Sequence, residues 1–187
     1  MLIGVDEVGM GCLAGPVVVC AVSVKDRYRI GDFGVQDSKR MSPKQREACF
    51  AELKKRNFKY KISYCYPRTI DSLNIYQAAR KAMRRAIDKI QNPNVKNQMV
   101  LVDGPRKIQG VSLPQQAIIK GDQKVFAIAA ASVIAKVFRD RMMRNYAKRY
   151  PQYGFEKHKG YGTKLHYAAL ARYGICTLHR KSFTIRV

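Results

Sequence analysis

The residues best equipped for chemistry in this chain are four carboxylates: the adjacent pair Asp6 and Glu7, then Asp103 and Asp122. Each follows a short apolar run. Leu2 to Val5 precedes the pair, Met99 to Val102 precedes Asp103, and Ala117 to Ile119 with a Lys-Gly step precedes Asp122. Three expected strands therefore end in acid. If those strands neighbour one another with their ends on the same side, the four carboxylates share one cleft, where mutual repulsion raises their pKa values and opposes folding. A divalent cation resolves that conflict. Oxygen ligands with neither His nor Cys suit Mg²⁺ or Mn²⁺, and two such ions about 4 Å apart clamp the attacking and leaving oxygens of a phosphodiester. A plainer reading stands beside this one: Asp103 precedes Gly104 as turn residues do, and Asp122 could cap the helix expected from about Lys124. The Asp6-Glu7 pair is harder to explain so, because two charges beside a buried strand need compensation. Spacing alone leaves the alternatives open.

Positioning such a cluster requires a sheet, and the periodicities supply one. Met1 to Val5 and Pro16 to Val24 are apolar and β-branched, joined by a turn with Gly9, Gly11 and Gly15, which predicts a hairpin at a sheet centre. Ser42 to Asn57 opens with a Ser N-cap and Pro43 at the first helical position, which predicts a helix. Tyr60 to Tyr66 alternates as a strand does; Thr69 to Gln91 places Ile70, Leu73, Ala78, Met83, Ala86, Ile87 and Ile90 at helical spacing. Gln98 to Val102 and Gln116 to Ile119 are short strands, and about Lys124 to Arg149 is a long helix. The expected order is strand, strand, an optional third strand, helix, strand, helix, strand, strand, helix. This is an α/β pattern with a mixed sheet. Beyond Tyr150-Pro151 the chain turns to Gly and aromatic punctuation. A single domain is expected, with the option of a small lobe over 151–187.

Composition narrows the partner. Thirty-six Lys plus Arg against 13 Asp plus Glu give a formal charge of +23 over 187 residues, which points to a polyanion, nucleic acid first. Charge gives affinity rather than chemistry, so a passive or ribosome-associated binder fits it equally well. Cys12, Cys20, Cys49, Cys65 and Cys176 are scattered, without a CxxC pair or a zinc-like His spacing, and read as thiols in a reducing compartment. Acids interrupt MLIGVDEVGMG where a signal peptide needs an apolar stretch, and no window approaches the ~18 to 20 apolar residues of a membrane span. A soluble, cytoplasmic protein without a membrane role is expected.

At this point GVDEVGMGCLAGPVV resembles the N-terminal signature of type 2 ribonucleases H, the bacterial-type ribonuclease HII family. QDSKRMSPKQRE, LVDGP, IIKGDQKVFAIAAASVIAKVFRDRMM and YGFEKHKGYGTKLHYAALARYGICTLHRKSF match in the same order, with SLNIYQAARKAM as a weaker sixth block. The resemblance implies a ribonuclease H-like sheet flanked by helices with a helical C-terminal extension. It carries metal ligation and catalysis to Asp6, Glu7, Asp103 and Asp122. It implies hydrolysis on the 5′ side of ribonucleotides in RNA–DNA hybrids and in duplex DNA, leaving a 3′-hydroxyl and a 5′-phosphate, in DNA replication and repair. It also implies a monomer.

The family's turn after the Asp-Glu pair sets backbone against the 2′-hydroxyl, and a tyrosine packs on the adjacent sugar; here these are Gly9, Met10, Gly11 and Tyr161. Glycines let a main chain approach the one group that separates ribose from deoxyribose, though a plain tight turn also accounts for them. The family usually has Arg where Met10 stands and Pro where Cys12 stands, and a thioether cannot pair with phosphate. Weaker binding or an altered junction preference is expected, with chemistry retained. Ser38 and Lys39 are candidate phosphate contacts, against the alternative of a solvated loop, and Lys136 and Arg139 could line the groove or form a solvated basic face. Arg139 and Asp140 could pair locally. His158, His166 and His179 receive no catalytic role, and Tyr146, Tyr150 and Tyr153 read as packing. No clamp-binding peptide is evident in the terminal KSFTIRV. The competing reading is a catalytically silent nucleic-acid binder on the same fold; four clustered carboxylates argue against it, because a polyanion binder gains nothing from them. A junction resolvase or 3′ exonuclease on this fold is a further alternative that the Gly-x-Gly turn and Tyr161 disfavour.

Overall fold

A computed structural model describes residues 1–25 and 27–184, so the last three residues of the C-terminal KSFTIRV lie outside the described residues. Five strands form one mixed sheet in the order β3-β2-β1-β4-β5. They are β1 (Leu2–Val8), β2 (Val17–Val24), β3 (Lys59–Cys65), β4 (Met99–Asp103) and β5 (Gln115–Ile118). The hairpin expected from the N-terminal runs is there: β1 and β2 pair antiparallel, with Asp6 opposite Cys20. β1 also pairs with β4 in parallel, and β4 with β5 in parallel, so these three strands end on the same side of the sheet.

The helices are α1 (Pro43–Lys55), α2 (Pro67–Leu73), α3 (Ile75–Ile90), α4 (Phe126–Arg149), α5 (Phe155–His158) and α6 (Lys164–Tyr173). α1 starts where its signals place it: Ser42 accepts from the Gln45 N–H, while the Gln45 side chain accepts from the Ser42 N–H. The single helix expected over Thr69 to Gln91 is instead two. Asn74, at φ 66 and ψ 164, breaks it and caps α3 by accepting from the Gln77 N–H. The optional strand between β2 and α1 is a short 3₁₀ turn, Asp32–Gly34, among the described residues.

One core lies between the sheet and α3, built from Ile3, Val5, Val17, Val19, Val100 and Val102 against Ala82, Ala86 and Ile87. The other lies between the opposite face and α1 with α4. Here the helix approaches unusually closely, because an added Cβ on Gly4 would stand 2.1 Å from the Ala127 carbonyl carbon. The alanine run of α4 lies flat on that bare stretch of β1. A third apolar cluster joins Leu13, Ala14 and Met143 to Tyr153, Phe155 and Leu170, seating the C-terminal residues on the far half of α4. Tyr153 is buried there, with Tyr146 and Tyr150 packed beside it, which is the packing role expected of that stripe. Among the described residues no helix is long and apolar enough to cross a membrane.

Candidate metal centre and the glycine turn beside it

Parallel register aligns the first two acids. Val5 pairs with Val102, so Asp6 and Asp103 take the next step on adjacent strands, with side chains on the α4 face. Asp122 arrives by a different route, on the 3₁₀ turn Gly121–Gln123 that feeds α4. That turn is tied to β4 because the Gly121 N–H donates to Asp103 Oδ1 at 2.7 Å. Carboxylate oxygens of Asp6, Asp103 and Asp122 lie within 4.8 Å of one another. Asp6 and Asp122 are buried, at 4% and 3% exposure.

Glu7 stands apart from this trio. Strand alternation sends its side chain to the α3 face, where it lines a cavity of about 560 Å³ together with Met10, Asn74, Gln77, Arg80 and Asp103. The four carboxylates expected to share one cleft thus divide into three in close array and one beside them.

The electrostatics are those of an uncompensated acidic cluster. Burial, then the charges of Glu7 and Asp103, holds Asp6 well above the ordinary carboxylate range, although a hydrogen bond from Ser132 pulls the other way. Burial and Asp103 push Glu7 to about 7. Asp122 is raised by burial and Asp103, with Lys39 opposing. Lys39 Nζ is 3.6 Å from Asp122 Oδ2 on a side chain that is 80% exposed, so the nearest cation is loosely held. An all-oxygen trio that shares so little positive charge fits a hard divalent cation.

Ser38 belongs behind the cluster and not on a phosphate. It is buried, and its hydroxyl meets Ser132 Oγ at 2.8 Å, so it backs the serine that favours the charged form of Asp6. Lys39 alone of the two faces outward. The expected Arg139–Asp140 pair is also absent. Asp140 pairs with Lys136 at 2.8 Å and with Arg46 at 3.5 Å, and Arg139 has no exposed surface, so it is not part of a solvated face. Arg139 donates to the carbonyls of Pro16 at 2.9 Å, Lys159 at 2.8 Å and Ala14 at 3.1 Å.

That guanidinium shapes the glycine turn. Gly9 sits at φ 93, and a Cβ there would fall 2.3 Å from Arg139 Nε, so both conformation and space require glycine. Gly11 has open space around it and is exposed. Met10 is half-buried, its side chain packed against the α3-side core. Tyr161 is 39% exposed; Lys136 Nζ lies 5.8 Å and Arg139 Cζ 5.9 Å from its ring centroid. Burial and the nearby Cys12 thiol push its hydroxyl up to about 12.

The three histidines are buried in the C-terminal cluster. His158 and His166 stack at 4.2 Å, and His166 Nε2 meets His179 Nε2 at 3.1 Å. His166 Nδ1 meets the Tyr161 carbonyl at 2.9 Å. Four of the five cysteines are buried and Cys176 is half-buried, all free thiols. Reasoning from the sequence did not single out Ser132, Arg46 or Arg180. Ser132 had a signal, as the lone polar residue in an alanine-rich run; the arginines had none among so many cations.

A family model described as Ribonuclease HII matches residues 3–186. A Ribonuclease HII of Caldicellulosiruptor saccharolyticus is 48% identical over 180 residues, covering 96% of this chain and 85% of the relative. A chain of the PCNA:RNase HII complex from Archaeoglobus fulgidus superimposes with a TM-score of 0.80 at 28% identity, covering 97% of this chain and 92% of that one. Bst-RNase HIII, solved with Mn²⁺, shares the fold at a TM-score of 0.80 and 18% identity, covering 97% of this chain and 66% of that one.

Proposed function

Because the chain belongs to the ribonuclease HII family, and is with it a metal-dependent ribonuclease H hydrolase, we propose that it cuts the phosphodiester on the 5′ side of ribonucleotides. The substrates are RNA–DNA hybrids and duplex DNA with embedded ribonucleotides, and the products carry a 3′-hydroxyl and a 5′-phosphate. It acts as a cytoplasmic monomer of one domain in ribonucleotide removal during replication and repair. The observation that carries this reading is the close array of oxygens from Asp6 on β1, Asp103 at the end of the neighbouring parallel strand β4, and Asp122 on the turn that leads into α4.

Asp6, Glu7, Asp103 and Asp122 would hold two Mg²⁺ or Mn²⁺ ions, which supply a lowered water pKa and charge stabilisation at the scissile phosphate. The residues of the chain do the rest. Ser132, backed by Ser38, fixes the Asp6 carboxylate. The Asp103–Gly121 hydrogen bond fixes the approach of Asp122. Gly9, Met10 and Gly11 offer backbone to the 2′-hydroxyl, and Tyr161, braced by Arg139 and Lys136, packs on the adjacent sugar. Lys39 meets phosphate beside Asp122.

The test is cleavage of a labelled duplex carrying one ribonucleotide, with Mg²⁺ or Mn²⁺, beside Asp6→Asn and an all-DNA control. Incision 5′ of the ribonucleotide, lost in Asp6→Asn and absent on all-DNA, is expected. Tight binding without incision of either that duplex or an RNA–DNA hybrid would instead make the protein a silent binder.

A further inference from the structure

The Gly9–Gly11 turn is fastened from beneath by a residue far away in sequence. Arg180, in the segment after α6, has no exposed surface. It donates from Nη2 to the Gly9 carbonyl at 2.6 Å, from Nη1 to the Met10 carbonyl at 2.9 Å and from Nε to the Gly15 carbonyl at 3.1 Å. Peptide bonds among the described residues are trans, so the C=O and N–H of each unit point in opposite directions. Drawing the Gly9 and Met10 carbonyls inward therefore turns the N–H groups of Met10 and Gly11 outward. Neither N–H has an acceptor among the described residues. Successive outward N–H groups form a small concavity suited to an oxygen.

The choice of side chain matters because a guanidinium is costly to bury, and burial pushes this one down to about 10. An apolar residue would fill the space more cheaply. What the planar fork adds is two bonds in fixed relation to successive carbonyls, which a lysine ammonium cannot hold at one angle. Arg139 braces the same segment through Ala14 and Pro16, and the Tyr161 segment through Lys159.

We propose that Arg180 is the positioning residue of the ribose-reading turn: it holds the Gly9 and Met10 carbonyls inward and so presents the Met10 and Gly11 N–H groups to the 2′-hydroxyl at the junction. This rests on the ribonuclease reading above. Arg180 touches no reacting atom, so its loss acts on recognition rather than on the chemical step.

The experiment compares the natural chain with Arg180→Lys and Arg180→Met on a duplex with one ribonucleotide and on the matching all-DNA duplex. Cleavage is read in Mn²⁺ and binding in Ca²⁺. If the natural chain does not distinguish the two duplexes, the ribonuclease reading falls, and this inference with it. If it does, KM of Arg180→Met for the ribonucleotide duplex should rise about tenfold or more while kcat stays within about threefold, and its binding preference for ribose should collapse. Arg180→Lys should recover part of that preference. A variant that melts earlier but keeps KM and the ribose preference overturns the proposal. Should neither variant fold, the amide resonances of Met10 and Gly11 in the natural chain decide: they should move on adding the ribonucleotide duplex and stay still with all-DNA. Equal movement with both overturns it.

Discussion

Asp6→Asn should abolish cleavage and make the metal-free protein more stable. Asp6, Asp103 and Asp122 oxygens lie within 4.8 Å of one another. At an effective dielectric of about 20, each fully charged pair at that separation repels by roughly 3 to 4 kcal/mol. Proton uptake relieves part of this, since burial with Glu7 and Asp103 already holds Asp6 high. A net gain of roughly 1 to 3 kcal/mol is expected for the neutral amide. Its Oδ1 can still accept the Glu7 N–H, now bonded at 2.7 Å, so that bond survives the substitution. For a chain of this size each kcal/mol moves the melting midpoint by roughly 2 to 4 °C. Melting curves in chelator should therefore place Asp6→Asn several degrees above the natural chain. In saturating Mn²⁺ the order should reverse, because the natural chain gains about 2.7 kcal/mol at a hundred times its Kd and the variant gains less. An Asp6→Asn protein that melts lower in chelator, or gains as much from Mn²⁺, would refute the claim that this cluster is a strained cation site.

Met10→Arg should tighten binding of a ribonucleotide duplex and steepen its salt dependence by about one phosphate contact; unchanged affinity and unchanged junction preference would show that Met10 is neutral. Gly4→Ala forces a methyl against the Ala127 backbone 2.1 Å away and should cost 3 kcal/mol or more, about the upper end of ordinary overpacking; a urea midpoint within error of the natural chain would contradict the close seating of α4. Acid should weaken the C-terminal unit. Burial lowers His166 to about 4 from an ordinary 6.5, so below pH 6.5 the unfolded chain takes a proton that the native chain refuses. The His166 contribution, complete above pH 6.5, falls by roughly 2 kcal/mol by pH 5. His158 and His179 shift the same way. Asp6 and Glu7 oppose the trend, so the comparison is with His166→Gln in urea at pH 7.5 and pH 5. Equal pH sensitivity of the two chains would rule the histidine out as the cause.

The strands, their succession along the chain and the start of α1 and end of α4 were legible because apolar period and caps are local signals. Asp6 and Asp103 were legible for the same reason: each follows an apolar run that the pattern marks as a strand. The split of Thr69 to Gln91 at Asn74 was not, because Ile70 and Leu73 before the break and Ala78 and Met83 after it read as one apolar stripe. There the Asn74 cap outweighs the stripe. Ser38 and Arg139 were misplaced because a polar residue in a basic chain looks solvated until tertiary packing encloses it. Adjacency alone does not reveal that Glu7 approaches the cluster from the other face of the sheet, because a strand sends adjacent side chains to opposite faces.

The sheet alone fixes only two of the three closely arrayed carboxylates. One face of α4 ties the rest together. Ser132, Lys136, Arg139, Asp140 and Met143 follow helical spacing. In turn they hold Asp6 and Ser38, brace Tyr161, bond the Ala14–Pro16 carbonyls, pair with Arg46 of α1 and pack in the C-terminal core. Asp122 rides on the turn that starts this helix. The contact at Gly4 therefore sets the height of α4 on the sheet for all of these at once. Lifting the helix with Gly4→Ala should weaken Mn²⁺ binding and ribose preference together. His166→Gln, which touches the Tyr161 segment through the Tyr161 carbonyl and the stacked His158, should change substrate affinity and leave Mn²⁺ binding to the free protein intact. If Gly4→Ala shifts one property without the other, the helix is not the shared frame and each site is held by its own loop.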